Sequence, residues 1–169
     1  MFKFLVEEID NKEKSAERIA YLEQKYGIVF PEILRQLYAK TDSGEMKMCE
    51  MEIGGRTFVA ANLVTLEEGD MDFEYAADDV RDEPMCNFIP ADWYPIAYDN
   101  GGSFFYWSSN SHRVYYVDHE DVEKQVSISD SIEAFIELLN NSVVEEYRFN
   151  DSSPSAGRAA FFQMSPFAQ

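Results

Sequence analysis

The stretch Trp93 to Trp107, W-Y-P-I-A-Y-D-N-G-G-S-F-F-Y-W, constrains the fold more than any other part of the chain. Two runs of aromatic and β-branched residues flank Asp99-Asn100-Gly101-Gly102. A glycine loop that cradles phosphate normally stands ahead of a helix, whose first amides meet the anion. The residues that follow here, S-F-F-Y-W, have strand propensity and no helical period. No Lys-Ser or Lys-Thr follows either, so the P-loop pattern is absent. The glycines therefore turn a hairpin, supplying the positive φ that a tight turn demands.

The rest of the chain supplies partners for that hairpin. Asp10 to Glu13 reads as a capping box. Ile19, Leu22 and Tyr26 then recur at helical spacing, and Gly27 is placed to end the helix. Pro31 opens a second helix with Ile33, Leu34, Leu37 and Tyr38 on its apolar face. From Met46 the period becomes two, with Met46, Met48, a slip at Cys49, then Met51 and Ile53 alternating with charges. Gly54-Gly55 joins that run to Arg56–Ala60 as another hairpin, and Asn62 to Leu66 reads as a helical turn. Arg113 to Asp118 is a further strand, and Val126 with Ile128 a short one. Asp130, with Glu133 three residues on, caps a last helix whose Ile132, Phe135, Ile136 and Leu139 fall on one face.

Glu67 to Glu83 differs in kind. Nine acids stand there against the single base Arg81, with Met71, Phe73, Tyr75 and Val80 scattered among them. It reads as an exposed loop with at most one helical turn. Two functions fit it: a solvated segment, or a docking surface for a basic protein. Residues 1–149 are expected to form one domain, and 150–169 a tail, either flexible or strapped over the core.

Charge and composition exclude several classes. The net charge of -18 repels nucleic acid and anionic membranes and attracts basic proteins. An apolar content of 46% excludes a wholly disordered chain. Cys49 and Cys86 are too few for a disulfide framework and lack zinc-site spacing. No run approaches the roughly 20 apolar residues of a membrane helix, and no signal peptide is evident at the N-terminus, so a cytoplasmic location is expected.

At Asp118-His119-Glu120-Asp121 a histidine stands beside acids, which suggests a metal corner. The other histidine, His112, stands at the opposite end of the same strand, too far away to share an ion. No G-x-S-x-G is present, and carboxylate pairs cannot be singled out among 32 acids. No catalytic residue, metal ligand or cofactor is therefore expected.

The segments Y-G-I-V-F-P-E-I-L-R-Q-L-Y, F-I-P, Y-D-N-G-G-S-F-F-Y-W, R-V-Y-Y-V-D-H-E and I-S-D-S-I-E-A-F-I-E-L-L, in that order, resemble the SUKH superfamily across about Ile19 to Asn141. That superfamily includes many immunity proteins of bacterial polymorphic-toxin systems and a fungal cell-wall-assembly regulator. The chain departs from the pattern in Ile132, where Phe is common, in its long acidic insert and in the residues after Phe149. The resemblance implies an α+β fold with helices packed on a mostly antiparallel, twisted sheet. It also implies a binding role without catalysis: neutralisation of a cognate basic toxin of nuclease type, with an intracellular regulator or scaffold as the alternative. Such regulators carry long disordered flanks, and this chain has almost none, which favours the immunity role. Within the acidic segment, Asp78, Asp79, Asp82 and Glu83, with Asp70 and Asp72, are the expected partner-binding residues. No oligomeric state follows from the sequence.

Overall fold

The computed structural model describes residues 1–67, 71–82 and 88–145. Its elements run α1 (Lys12–Tyr26), α2 (Glu32–Tyr38), β1 (Glu45–Ile53), β2 (Arg56–Leu63), α3 (Phe73–Asp82), β3 (Trp93–Tyr98), β4 (Phe104–Ser108), β5 (Val114–Asp118), β6 (Asp121–Ser129) and α4 (Ile132–Asn141). The strands form one antiparallel sheet in sequence order, β1 to β6, each paired with the next in the chain. The architecture is α+β, as the sequence implied.

The aromatic hairpin builds the middle of that sheet. Gly102 adopts φ 90°, and the Asp99 carboxylate accepts hydrogen bonds from the Gly101 and Ser103 amides at 2.8 and 2.9 Å. On the face towards the helices, Phe105 meets Phe135 of α4 with centroids 5.4 Å apart, and Trp107 meets Phe30 at 6.0 Å. Tyr94 stacks on Phe73 of α3 at 5.6 Å. Phe30, Phe73, Phe105, Trp107 and Phe135 are fully buried. Each such side chain contributes about 1.5–3 kcal/mol of apolar burial, so this layer holds the helices to the sheet.

Three local expectations need correction. Asn11, not Asp10, occupies the N-cap of α1, and no side-chain cap forms there. The Asn11 amide instead donates to the carbonyls of Tyr38 and Thr41, tying the start of α1 to the end of α2. A tertiary bond thus takes the side chain that a local cap would have used. At α4 the cap is Ser131, whose Oγ accepts from the Ala134 amide at 3.1 Å, while exposed Asp130 pairs with Arg113. Asn62 to Leu66 is not a helical turn. Asn62 and Leu63 end β2, paired with Tyr98 and Ala97, because the edge of β3 offers hydrogen bonds that an isolated turn would lack.

The other features stand close to expectation. Gly27 ends α1 at φ 65°, its amide bonded to the Glu23 carbonyl. Gly54 and Gly55, both at positive φ, turn the β1–β2 hairpin. The slip in β1 is an irregularity between Glu45 and Cys49: Met46 and Cys49 are buried, whereas Met48 is 42% exposed. The strand at Val126 and Ile128 is longer than expected, nine residues. The expectation for residues 150–169 lies outside the described residues.

Candidate protein-binding face

The acidic segment folds against α1, and the exposed-loop reading of Glu67–Glu83 is wrong for its centre. Phe73, Ala76 and Ala77 recur at i, i+3 and i+4 and are at most 3% exposed. That short apolar stripe outweighs the repulsion of its acidic neighbours and makes residues 73–82 helical. Asp72 caps the helix, its Oδ1 accepting from the Tyr75 amide at 2.9 Å.

Bases of α1 neutralise part of the repulsion. Arg18 reaches Glu74 at 2.5 Å and also donates Nε to the Leu66 carbonyl at 2.7 Å. Lys25 bridges Glu74 and Asp78, both at 2.9 Å, and Lys14 meets Glu67 at 2.6 Å. Tyr21 donates to Glu74 at 3.0 Å and Tyr26 to Asp78 at 2.9 Å. Arg18 and Lys25 also lie over the Tyr21 and Tyr26 rings, 4.8 and 5.2 Å from the centroids. The Lys25 hydrogen bond, followed by those from Arg18 and Tyr21, holds the Glu74 carboxyl down at about 2. Its bonds to Glu74 and Asp78 push the Lys25 ammonium up. Burial, followed by the bond to Asp78, raises the Tyr26 phenol.

Of the expected partner-binding residues, Asp72 and Asp78 therefore already serve the fold, although the Asp78 side chain stays 42% exposed. Asp79 and Asp82 lie within α3. Asp70 and Glu83 lie outside the described residues. The sequence already set Tyr75 among the acids, but sequence reasoning missed Tyr21: on α1 and α3 respectively, Tyr21 and Tyr75 are 47% and 45% exposed. Their signal was a large amphipathic ring at a helix position off the apolar stripe. Acids that carry long-range field and half-exposed tyrosines that offer rigid contact area are the two ingredients of a protein-binding surface.

The Asp118–Asp121 corner has a different role. His119 Nδ1 lies 2.9 Å from Ser103 Oγ, and the His119 amide donates to the same Oγ at 3.1 Å. Tyr116 donates to the free oxygen of the Asp99 carboxylate at 2.9 Å. Ser, His and Asp together suggest a hydrolytic triad, but Asp118 approaches the ring through the same Nδ1, at 3.8 Å. A relay needs the serine on one ring nitrogen and the carboxylate on the other. Ser103 is also 2% exposed. The set clamps the β3–β4 turn to the β5–β6 turn. His112 stands beyond the other end of β5, in a turn at φ 62°.

A separate cleft of about 450 Å³ lies between α1, α2 and the N-terminal residues, lined by Phe2, Ile19, Glu32, Arg35 and Lys40 among others. Charges of both signs give it no chemical preference. Among the described residues, no helix is long and apolar enough to cross a membrane.

The sequence pattern of the family described as SMI1 / KNR4 family (SUKH-1) matches residues 14–138. The match begins in α1 and ends in α4, and so spans the whole sheet. No curated protein matches the chain.

Proposed function

Since the chain belongs to the SMI1 / KNR4 family (SUKH-1), we propose that it is an immunity protein. In this reading it binds and neutralises a cognate basic toxin of nuclease type, acts in the cytoplasm and performs no catalysis. The superfamily includes such immunity proteins, and its members are generally non-catalytic. The observation that carries the reading for this chain is the α1–α3 face, where Tyr21 and Tyr75 stand half-exposed beside Glu74 and Asp78 on a chain of charge -18.

The physics of binding follows from that face. The net field draws a cationic surface in and accelerates encounter. On contact, a partner Arg or Lys competes with Lys25 for Asp78, so one ion pair replaces another and little net affinity comes from charge alone. Affinity comes from desolvating the tyrosine rings against the partner. Occupation of the toxin's substrate-binding surface then blocks it, with no group on this chain reacting.

Co-expression with the toxin encoded by the neighbouring gene tests this. The expected result is restored growth and a complex that survives size-exclusion chromatography. Continued toxicity with no complex overturns the reading. The second reading, an intracellular regulator or scaffold of the cell-wall-assembly type, is favoured by the regulator branch after which the matched family is described. It predicts no toxin gene alongside and a different binding partner.

A further inference from the structure

The two edges of the sheet differ. The outer edge of β1 is covered by residues that precede α1 and by residues that follow α4. The Lys47 amide donates to the Phe4 carbonyl at 2.7 Å, the Glu50 amide to the Ser142 carbonyl at 2.9 Å, and the Val144 amide to the Met48 carbonyl at 2.9 Å. The outer edge of β6, a strand of nine residues, has no such neighbour among the described residues.

The ladder shows which groups of β6 are open. The Ser108 amide donates to the Arg113 carbonyl at 2.9 Å. Bonded pairs alternate along an antiparallel ladder. Stepping by two from Ser108 and Arg113, the register makes Tyr106–Tyr115 and Phe104–Val117 the bonded pairs of β4 and β5. The bond from the Asp99 amide to the Ser103 carbonyl, at 3.0 Å, agrees, because Ser103 and Phe105 then face β3. Tyr116 therefore turns its amide and carbonyl to β6, where it is paired with Val126. Gln125 and Ser127, one residue either side of Val126, turn theirs outward, and both residues are exposed.

A long open edge invites strand pairing, and lysine commonly guards it. The one lysine of β6, Lys124, is held by Asp121 at 2.6 Å. From Asp118 to Glu137 seven acids stand against that lysine and no arginine. Val122 and Val126 pack against the core yet stay half-buried, so the apolar layer stops short at this edge. We propose that β6 is the docking edge for an extended basic segment of the partner, which adds a seventh strand to the sheet. Main-chain bonds to Gln125 and Ser127 supply affinity, and alternate side chains supply selectivity. Lys and Arg of that segment answer the acids, and its apolar side chains lie beside Val126. A second copy of this chain fits poorly, because pairing β6 with itself sets two acidic edges side by side. The inference rests on the basic partner of the proposed function, and adds to the α1–α3 face a contact made by backbone.

Hydrogen exchange on the free protein is the first test. The Val126 amide should be protected, and the Gln125 and Ser127 amides should exchange as fast as those of open loops. Slow exchange at Ser127 overturns the proposal. If it is independent of protein concentration, a segment of this chain already covers the edge; if it grows with concentration, a second copy does. The second test is binding of a catalytically inactive form of the toxin encoded by the neighbouring gene. Ser127→Pro removes one outward amide and leaves the Tyr116–Val126 pair intact, so it should keep the parent's melting behaviour. It should bind about tenfold more weakly. In the complex of the parent, the Gln125 and Ser127 amides should become protected, a readout that holds even where the proline variant is unstable. Unprotected amides in that complex, or parental affinity in a folded Ser127→Pro, overturns the docking edge and leaves the immunity reading standing. No complex with the parent at all overturns both.

Discussion

Glu74 offers the sharpest test of how the acidic helix is held. Its carboxylate receives Arg18, Lys25 and Tyr21 from α1. A carboxyl held at about 2, against the ordinary 4.5, carries stability that is fully present above pH 4.5. That stability is lost as pH falls from about 5 towards about 2. Taken alone, a difference of that size corresponds to about 3 kcal/mol. The Glu74 side chain is 24% exposed and Lys25 36%, so water screens the pairs and about 1–2 kcal/mol is the realistic contribution. Glu74→Gln keeps the shape and one acceptor but removes the charge. Urea denaturation at pH 7 should place the variant about 1–2 kcal/mol below the parent with an unchanged slope. The gap should shrink as the pH is lowered from 5 towards 3, because the carboxyl of the unfolded parent takes up its proton in this range while that of the folded parent stays ionised until about 2. A variant equal to the parent at pH 7, or a gap that stays constant down to pH 3, would refute the account of α3 as an element fastened by charge.

Other perturbations separate the remaining contacts. Asp99→Ala strips acceptors from the Gly101 and Ser103 amides and the Tyr116 hydroxyl, and should cost about 2–4 kcal/mol in equilibrium denaturation; Tyr116→Phe should cost about 1 kcal/mol. Phe135→Ala empties the contact between α4 and Phe105 and should cost about 3–5 kcal/mol, read by the same assay. Exchanging Asp78, Asp79, Asp82 and Glu83 for their amides should slow association with a basic partner and flatten its salt dependence in stopped-flow kinetics. That variant should also lose up to about 1 kcal/mol of stability, because Asp78 holds Lys25 and Tyr26. Association kinetics unchanged in the quartet would assign the contact to another face.

Much of the fold was legible because its signals are local. Gly54-Gly55 and Asp99–Gly102 sit between strand-forming runs, and Ile132, Phe135, Ile136 and Leu139 repeat at helical spacing; the structure places both hairpins and α4 there. What escaped depends on distant partners. Asn11 abandons the local cap for the end of α2, and Ser103 meets His119 sixteen residues on. No periodicity announces either bond. The slip in β1 was visible as a break in alternation. Placing Met48 outside required knowing that the chain after α4 returns to bond its carbonyl.

The acidic segment is the instructive failure. Charge density argues against structure, yet a helix needs only one apolar stripe, and Phe73, Ala76 and Ala77 supply it. Their signal was weak because two of the three are alanines, which add little to any measure of hydrophobicity but favour helix strongly. The missing half of the argument lay in α1. Lys14, Arg18 and Lys25 are spaced four and seven residues apart, which sets them along one side of that helix, facing Glu67, Glu74 and Asp78. Two segments with opposite charges at helical spacing are evidence of a packed pair even when neither looks ordered alone. The same pairing bears on the proposed binding role. In that reading, acids already partnered by α1 add little to the field a partner feels, so steering would fall to acids without a partner among the described residues, such as exposed Glu17, and anchoring to Tyr21 and Tyr75.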